Sequence, residues 1–403
     1  MRKSSKTVAA SAAISLASVL ASALAANAAT FTVLHTFTGG SDGGNPIDGV
    51  SIDKSGNLYG SAAGGGANGY GTAFELKHTK SGYTFDVLYN FASGKDGAAP
   101  GARVLKGPDG HLYGTTAQGG NGGGTVFDLG SIEKGGGGIR KEAVLHSFAG
   151  GNDGYQASDG DLAFDAKGNI YGTTSYGGAN NLGTVFELSP KAGGYTETIL
   201  HSFGSGQDGS VPVGGITLDA SGNVYGTTSA GGNTGSGTVY ELVKSQNYAE
   251  SVIYNFQAST DGETPFSGLT FDKYGNLYGG ATDGGVNSGG VVFELSPGSG
   301  GWTFNALYST PGYGVSGPFR TPYVDADGNV YGTTHCDGEY SAGSVYELTY
   351  SNGTWNYTSL HDFTGGSDGA YVFANPVFDA HGDIFGTTQI GGNGYGVVWE
   401  VSP

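Results

Sequence analysis

The chain has almost no cysteine, few bases, little proline for its glycine content, and no helical periodicity. A single cysteine, Cys336, leaves no intrachain disulfide, so the fold is stable without one. Lys and Arg together number 17 against 35 Asp and Glu, which makes nucleic acid and anionic membrane surfaces poor partners. Charged residues are 13% of the chain and aromatic residues 12%; that richness in rings argues against disorder. Beyond residue 28 no apolar run reaches membrane length, and no segment shows a 3.6-residue period. Glycine is present in excess, 80 of 403 residues, but without a collagen triplet.

The first 28 residues stand apart. Arg2, Lys3 and Lys6 precede an Ala/Leu/Val/Ser run over 8–24, and 23–25 and 26–28 are small-residue cleavage sites. This is the pattern of a secretory signal peptide, so residues 29–403 are expected to be the mature chain, secreted, periplasmic or at the cell surface.

What the mature chain holds is one phrase repeated seven times. Gly56-Asn57-Leu58-Tyr59-Gly60 returns with its aromatic at Tyr113, Tyr171, Tyr225, Tyr278, Tyr331 and Phe385, spaced 53 to 58 residues apart. A fixed period in that range marks a solenoid or propeller. The first unit reads as four short strands, over 31–37, 50–53, 57–62 and 72–76, with long Gly-rich loops at 38–49 and 63–71 and a tight turn at 54–56. Four strands per unit predict an all-β, seven-bladed β-propeller of four-stranded blades. The chain starts on an outer strand and stops after a third inner one, so the N-terminal strand is predicted to complete the last blade. Alternating strand direction puts both long loops on one rim, the default functional face.

Most motifs belong to the repeat. The outer strand carries His35, His146, His201 and His361 where other units have Tyr89, Tyr254 and Tyr308, so a half-buried planar side chain with a polar tip is expected there. The third inner strand carries an acid in all seven units (Glu75, Asp128, Glu187, Glu241, Glu294, Glu347, Glu400), which reads as a hydrogen-bonding peg; six further acids precede the tight turn. Six Asp-Gly pairs head the long loop at Asp42, Asp96, Asp153, Asp208, Asp261 and Asp368. These read as Asx-turns before a glycine, or alternatively as oxygen ligands for Ca²⁺. The Gly64-x-Gly66-x-x-Gly69 match to a dinucleotide fingerprint is a chance product of composition, with no helix after it.

Departures from the repeat carry the functional candidates. Two residues vary in the loop after the second inner strand: Ala63-Gly64, Ala117-Gln118, Ser175-Tyr176, Ser229-Ala230, Thr282-Asp283, His335-Cys336 and Gln389-Ile390. The sixth unit departs furthest. Its incoming loop loses the Asp-Gly pair and gains Arg320, so Arg320, His335, Cys336, Asp337 and Glu339 are expected on one rim. They read as a drifted blade or as a pocket holding a base, a thiol and a cation.

The pattern Gly-Asn-[Leu/Ile/Val]-Tyr-Gly-Thr-Thr, Gly-Gly, Gly-Thr-Val-[Phe/Tyr]-Glu-Leu, clearest over 168–190, 222–242 and 275–297, resembles the GloVer (Gloeo/Verruco) tandem repeats of secreted bacterial proteins. The resemblance covers nearly all of the mature chain and implies an exported repeat protein, without catalytic residues to carry over. The chain ends at Val401-Ser402-Pro403 without a sorting anchor, so free secretion is expected. Seven near-equivalent units predict a monomeric, non-enzymatic binding scaffold, for a glycan or an envelope or other extracellular protein partner. The alternative is a lyase or hydrolase on the long-loop rim near blade six.

Overall fold

A computed structural model describes residues 29–132, 140–157, 160–204, 206–312 and 316–403; the signal-peptide segment 1–28 lies outside them. The described residues form seven antiparallel sheets and no α-helix. Blade one comprises Val50–Ile52, Leu58–Ala62, Thr72–Thr79 and Gly82–Asn90, paired in that order from the centre outward. Blades three to six repeat the plan with outer strands Gly194–Ser202, Ala249–Asn255, Gly301–Pro311 and Thr354–Asp362. Blade two, with outer strand Arg140–Ser147, adds one short strand, Ala98–Pro100.

Closure is as the end-count predicts. Thr30–Thr36 pairs antiparallel with Val397–Ser402, outside Ile384–Thr388 and Val377–Phe378, with Thr30 opposite Ser402 and Thr36 opposite Val397. The first and last strands of the described chain thus share one sheet, and no blade lacks an outer strand.

The repeated phrase has a physical reading. Its first glycine, Gly56, has φ 79° and its six counterparts also lie at positive φ, the left-handed corner of the tight turn. Its last glycine leaves room for a ring: a Cβ on Gly60 would sit 2.5 Å from Phe74 Cζ, and one on Gly386 2.4 Å from Trp399. The apolar residue between them, Leu58 or its equivalent, is fully buried. Each core cluster lies across a blade-to-blade joint, as where Phe74 and Leu76 of blade one pack with Phe37, Phe385 and Val398 of blade seven. Each fully buried ring stabilises the joint by roughly 1.5–3 kcal/mol.

Candidate functional site

The long-loop rim is built on local pegs. Asp96 accepts hydrogen bonds from the Ala92 and Gly94 amides at 2.8 and 3.2 Å and from the Tyr89 hydroxyl at 3.1 Å. Asp368 does the same with the Thr364 amide (2.8 Å) and His361 Nε2 (3.3 Å). Asp42, Asp153, Asp208 and Asp261 repeat the arrangement with His35, His146, His201 and Tyr254. This explains the exchange of His with Tyr on the outer strand: either ring supplies a donor to the Asp seven residues on. The six carboxylates therefore each serve their own loop. Burial lowers the His35 and His361 pKa values, holding those rings neutral.

The variable loop positions are neighbours across that rim. Tyr155 and Tyr176 exchange backbone hydrogen bonds at 2.9 and 3.0 Å, and Gly44–Gly64, Ser210–Ala230, Glu263–Asp283 and Ala370–Ile390 form the same bridge in other blades. A constant frame thus presents a different residue pair at each blade. Tyr70, Tyr155, Tyr176, Tyr340, Tyr371 and Tyr395 project from these loops with 38–52% of their surface exposed. Tyr395 lies flat on backbone, since a Cβ on Gly39 would meet its ring at 2.4 Å, so one face is supported and the other is open. Lys95 is the one lysine among the described long-loop residues.

Blade six does not gather its five unusual residues into one pocket. His335 packs among Phe319, Tyr371 and Phe373, with ring centroids 4.1 Å apart in the last case, and Cys336 Sγ lies 2.9 Å from His335 Nδ1. Burial, reinforced by the Asp337 carboxylate, pushes the Cys336 thiol up to about 11, so the thiolate that nucleophilic chemistry needs is suppressed. Asp337 is buried and accepts from the Thr334 and Ser344 hydroxyls, while Glu339 is exposed. Arg320 turns away from the rim into the central channel, where Nε lies 2.8 Å from Asp48.

That channel is closed by charge. Arg103 pairs with Asp161 through Nε (2.8 Å) and Nη2, Asn375 Nδ2 donates to Asp161 at 3.0 Å, and the Thr321 amide donates to Asn375 at 2.6 Å. Burial pushes the Asp48 carboxyl well up, against the pull of Arg320 and Arg103. Two of the chain's four arginines stand here, opposite two aspartates, at the entries to the innermost strands. The scarcity of arginine was the available sign that Arg103 and Arg320 share a task; nothing in the repeat marked Asp48 or Asp161 as their partners.

A second concavity lies on the opposite, tight-turn rim, between blades seven and one. It is a cleft of about 530 Å³ whose walls include His78, Tyr83, Asp379, His381, Asp383 and Glu400. Its origin is a lost network. In blade five Asp272 accepts from Asn276 Nδ2 (2.9 Å) and Tyr278 Oη (3.3 Å), and Tyr278 also reaches Glu294 at 3.2 Å. Blade six does likewise with Asp325, Asn329, Tyr331 and Glu347. Blade seven replaces Asn by Asp383 and Tyr by Phe385, so Asp379, Asp383 and Glu400 meet without either donor. Burial raises the Glu400 pKa, and Asp383 and Asp379 add to it.

Among known proteins, the Gloeobacter/Verrucomicrobia repeat family matches residues 19–217, 131–321 and 272–403. No curated protein matches the chain. Similar solved structures include a gluconolactonase from Xanthomonas campestris, 15% identical with TM-score 0.42, covering 93% of this chain and 89% of that one. Another is a proposed 6-phosphogluconolactonase from Bacteroides uniformis, 15% identical with TM-score 0.49, covering 77% and 83%. Likeness at this level carries no inference about chemistry.

Proposed function

The chain belongs to the Gloeobacter/Verrucomicrobia repeat family, and from that premise we propose that it is an exported, monomeric scaffold that binds a neutral glycan on its long-loop rim. The observation behind this reading is the set of six exposed tyrosines on that one rim. A phenol ring offers an apolar face and a hydroxyl, which suits a hydroxyl-rich, uncharged ligand, and a rim with one lysine and many acids disfavours polyanions. The Tyr155–Tyr176 pair and the supported ring of Tyr395 are the strongest platforms, because little side-chain freedom is lost there on binding.

The test is a glycan array with the protein carrying its natural fold, against Tyr155→Ala/Tyr176→Ala and Tyr395→Ala. These exposed positions leave the melting temperature within a degree or two, and binding falls at least tenfold. Binding that survives all three substitutions removes this reading.

A hydrolytic reading is favoured by a different observation, the carboxylate trio in the 530 Å³ cleft beside His78 and His381. Burial, with the neighbouring acids, raises one of the three, Glu400, as a general acid requires. Turnover of polysaccharides that is abolished by Asp383→Asn but unaffected by His335→Ala/Cys336→Ser would support it; turnover lost in the second variant would return the activity to blade six.

A further inference from the structure

One position on the outer strands separates the blades into two groups. Opposite the buried Leu or Val of the neighbouring strand stand Phe31, Phe85, Phe304 and Tyr357 in four blades, and Glu142, Glu197 and Glu250 in blades two to four. Where it is aromatic, the ring stacks on the His or Tyr of the preceding blade: Phe85 on His35 at 3.8 Å, Phe304 on Tyr254 at 4.5 Å. Where it is glutamate, a carboxylate is buried instead, which costs free energy unless something compensates.

In the gap between blades two and three the compensation has metal-binding geometry. His146 Nε2 lies 2.9 Å from Asp153 Oδ1 and 3.5 Å from Glu197 Oε1, and the three donor atoms fall within 4.8 Å of one another. Their side chains keep only 20%, 25% and 15% of their surface exposed. Glu197 Oε1 is buried and, beyond His146 Nε2 at 3.5 Å, makes no hydrogen bond. The other Asp153 oxygen is held by the Ala149 amide at 2.5 Å, which fixes the carboxylate's orientation as an outer-shell partner does. Bonds of about 2.0–2.2 Å at tetrahedral angles separate ligand atoms by about 3.3–3.6 Å, close to the two separations from His146 Nε2, and all three atoms lie within 4.8 Å. The next gap carries His201, Asp208 and Glu250, but among the described residues only the first set gathers to this spacing.

We propose that His146, Asp153 and Glu197 form a binding site for a divalent transition metal, Zn²⁺ or Mn²⁺ in class, which clips the outer edge of blade two to blade three. One imidazole and two carboxylates select such an ion over Ca²⁺, which takes six to eight oxygens. A solvent molecule completes the shell from the exposed side.

The repeat supplies its own fold-safe variants. Glu197→Phe places there the residue found at the same position as Phe85 and Phe304, and His146→Tyr imitates Tyr89. Untagged protein, stripped with chelator, is titrated with Zn²⁺ and with Mn²⁺ by calorimetry, and Co²⁺ is used as a spectroscopic probe of tetrahedral coordination. The expected result is one equivalent bound and a rise in melting temperature of about 3 °C at a hundredfold excess over Kd. Affinity falls at least tenfold in Glu197→Phe and in His146→Tyr, and is unchanged in Glu250→Phe. Absence of an equivalent in the wild type, retention of it in both variants, or a preference for Ca²⁺ would each overturn the assignment.

Discussion

Blade seven lacks two hydrogen bonds that its siblings have, and restoring them is a quantitative test of how the repeat is held. The double variant Asp383→Asn/Phe385→Tyr rewrites the phrase as it stands in blades five and six. With the geometry of Asn276 and Tyr278, the new amide donates to Asp379 at about 2.9 Å and the new hydroxyl reaches Asp379 or Glu400 at about 3.2–3.3 Å. Hydrogen bonds to ionised acceptors contribute about 1.5–3 kcal/mol each when buried. The cleft is open, so about 1 kcal/mol each is the fitting value here. Removing the Asp383 charge adds to this, because that charge is one cause of the raised Glu400 pKa. The gain is therefore about 2–3 kcal/mol. At about 2.1 cal/mol/K per residue, a domain of about 375 residues unfolds with an entropy near 0.8 kcal/mol/K, so the melting temperature rises by about 3 °C. Calorimetry at pH 7, with urea denaturation as a second measure, reads this directly. A variant no more stable than the parent at pH 7 would refute the view that the Asn and Tyr of the phrase act as shared donors between two carboxylates.

Three further outcomes follow from the same structure. Deleting residues 30–36 leaves Val397–Ser402 as an open edge and removes Phe31 and Val33 from the blade-seven core, so the protein should melt far lower and self-associate on size exclusion, with partial rescue by a synthetic 29–37 peptide. Arg103→Met strands Asp161 in the closed channel and should cost about 3–5 kcal/mol in chemical denaturation, whereas Arg103→Met/Asp161→Leu should recover most of that. Burial, with Asp208 adding and His201 opposing, raises the Glu250 carboxyl to about 7, while Tyr240 packs nearby. The folded protein then holds a proton that the unfolded chain releases near pH 4.5, so stability falls as pH rises from about 4.5 to 7. Glu250→Gln should flatten that slope and gain about 1–2 kcal/mol at pH 8, after discounting for partial exposure, while changing little at pH 4.

The fold was legible because every unit says the same thing: a turn glycine, an apolar residue, an aromatic and a glycine that admits a ring. Chain ends out of phase by one strand were enough to foresee that Thr30–Thr36 would complete blade seven. Pairings across the repeat were not legible. The His or Tyr of the outer strand and the Asp seven residues later are each visible in the sequence, but their bond depends on a loop that folds back, as between His146 and Asp153. Arg320 was read with His335 because they are fifteen residues apart in the most divergent unit. Strand direction places Arg320 at the mouth of an innermost strand, where it pairs with Asp48 from the entry to blade one. Glu142, Glu197 and Glu250 look like ordinary exposed acids of an alternating strand until the neighbouring blade covers them.

Difference in letters and difference in bonding therefore point to different blades. Blade six is the most altered in sequence, yet Tyr331 still reaches both Asp325 and Glu347, and Asp337 finds two hydroxyl donors of its own. Its changes are absorbed by new partners, and burial suppresses the Cys336 thiolate. Blade seven differs from the phrase by one amide and one hydroxyl, and blade three from the aromatic set by one carboxylate. Each of these small changes leaves acids together without the donors that other blades supply. In a frame whose seven copies calibrate one another, a copy that keeps uncompensated charge forgoes stability that a single substitution would restore. The cleft around Asp383 and the His146–Asp153–Glu197 gap are two places where that cost is visible, the first on the opposite rim from the tyrosines and the second at the foot of the loop that carries Tyr155. An ion bound between blades two and three would brace the loop of Asp153, so chelation should lower thermal stability while leaving glycan contacts at the distant Tyr395 unchanged.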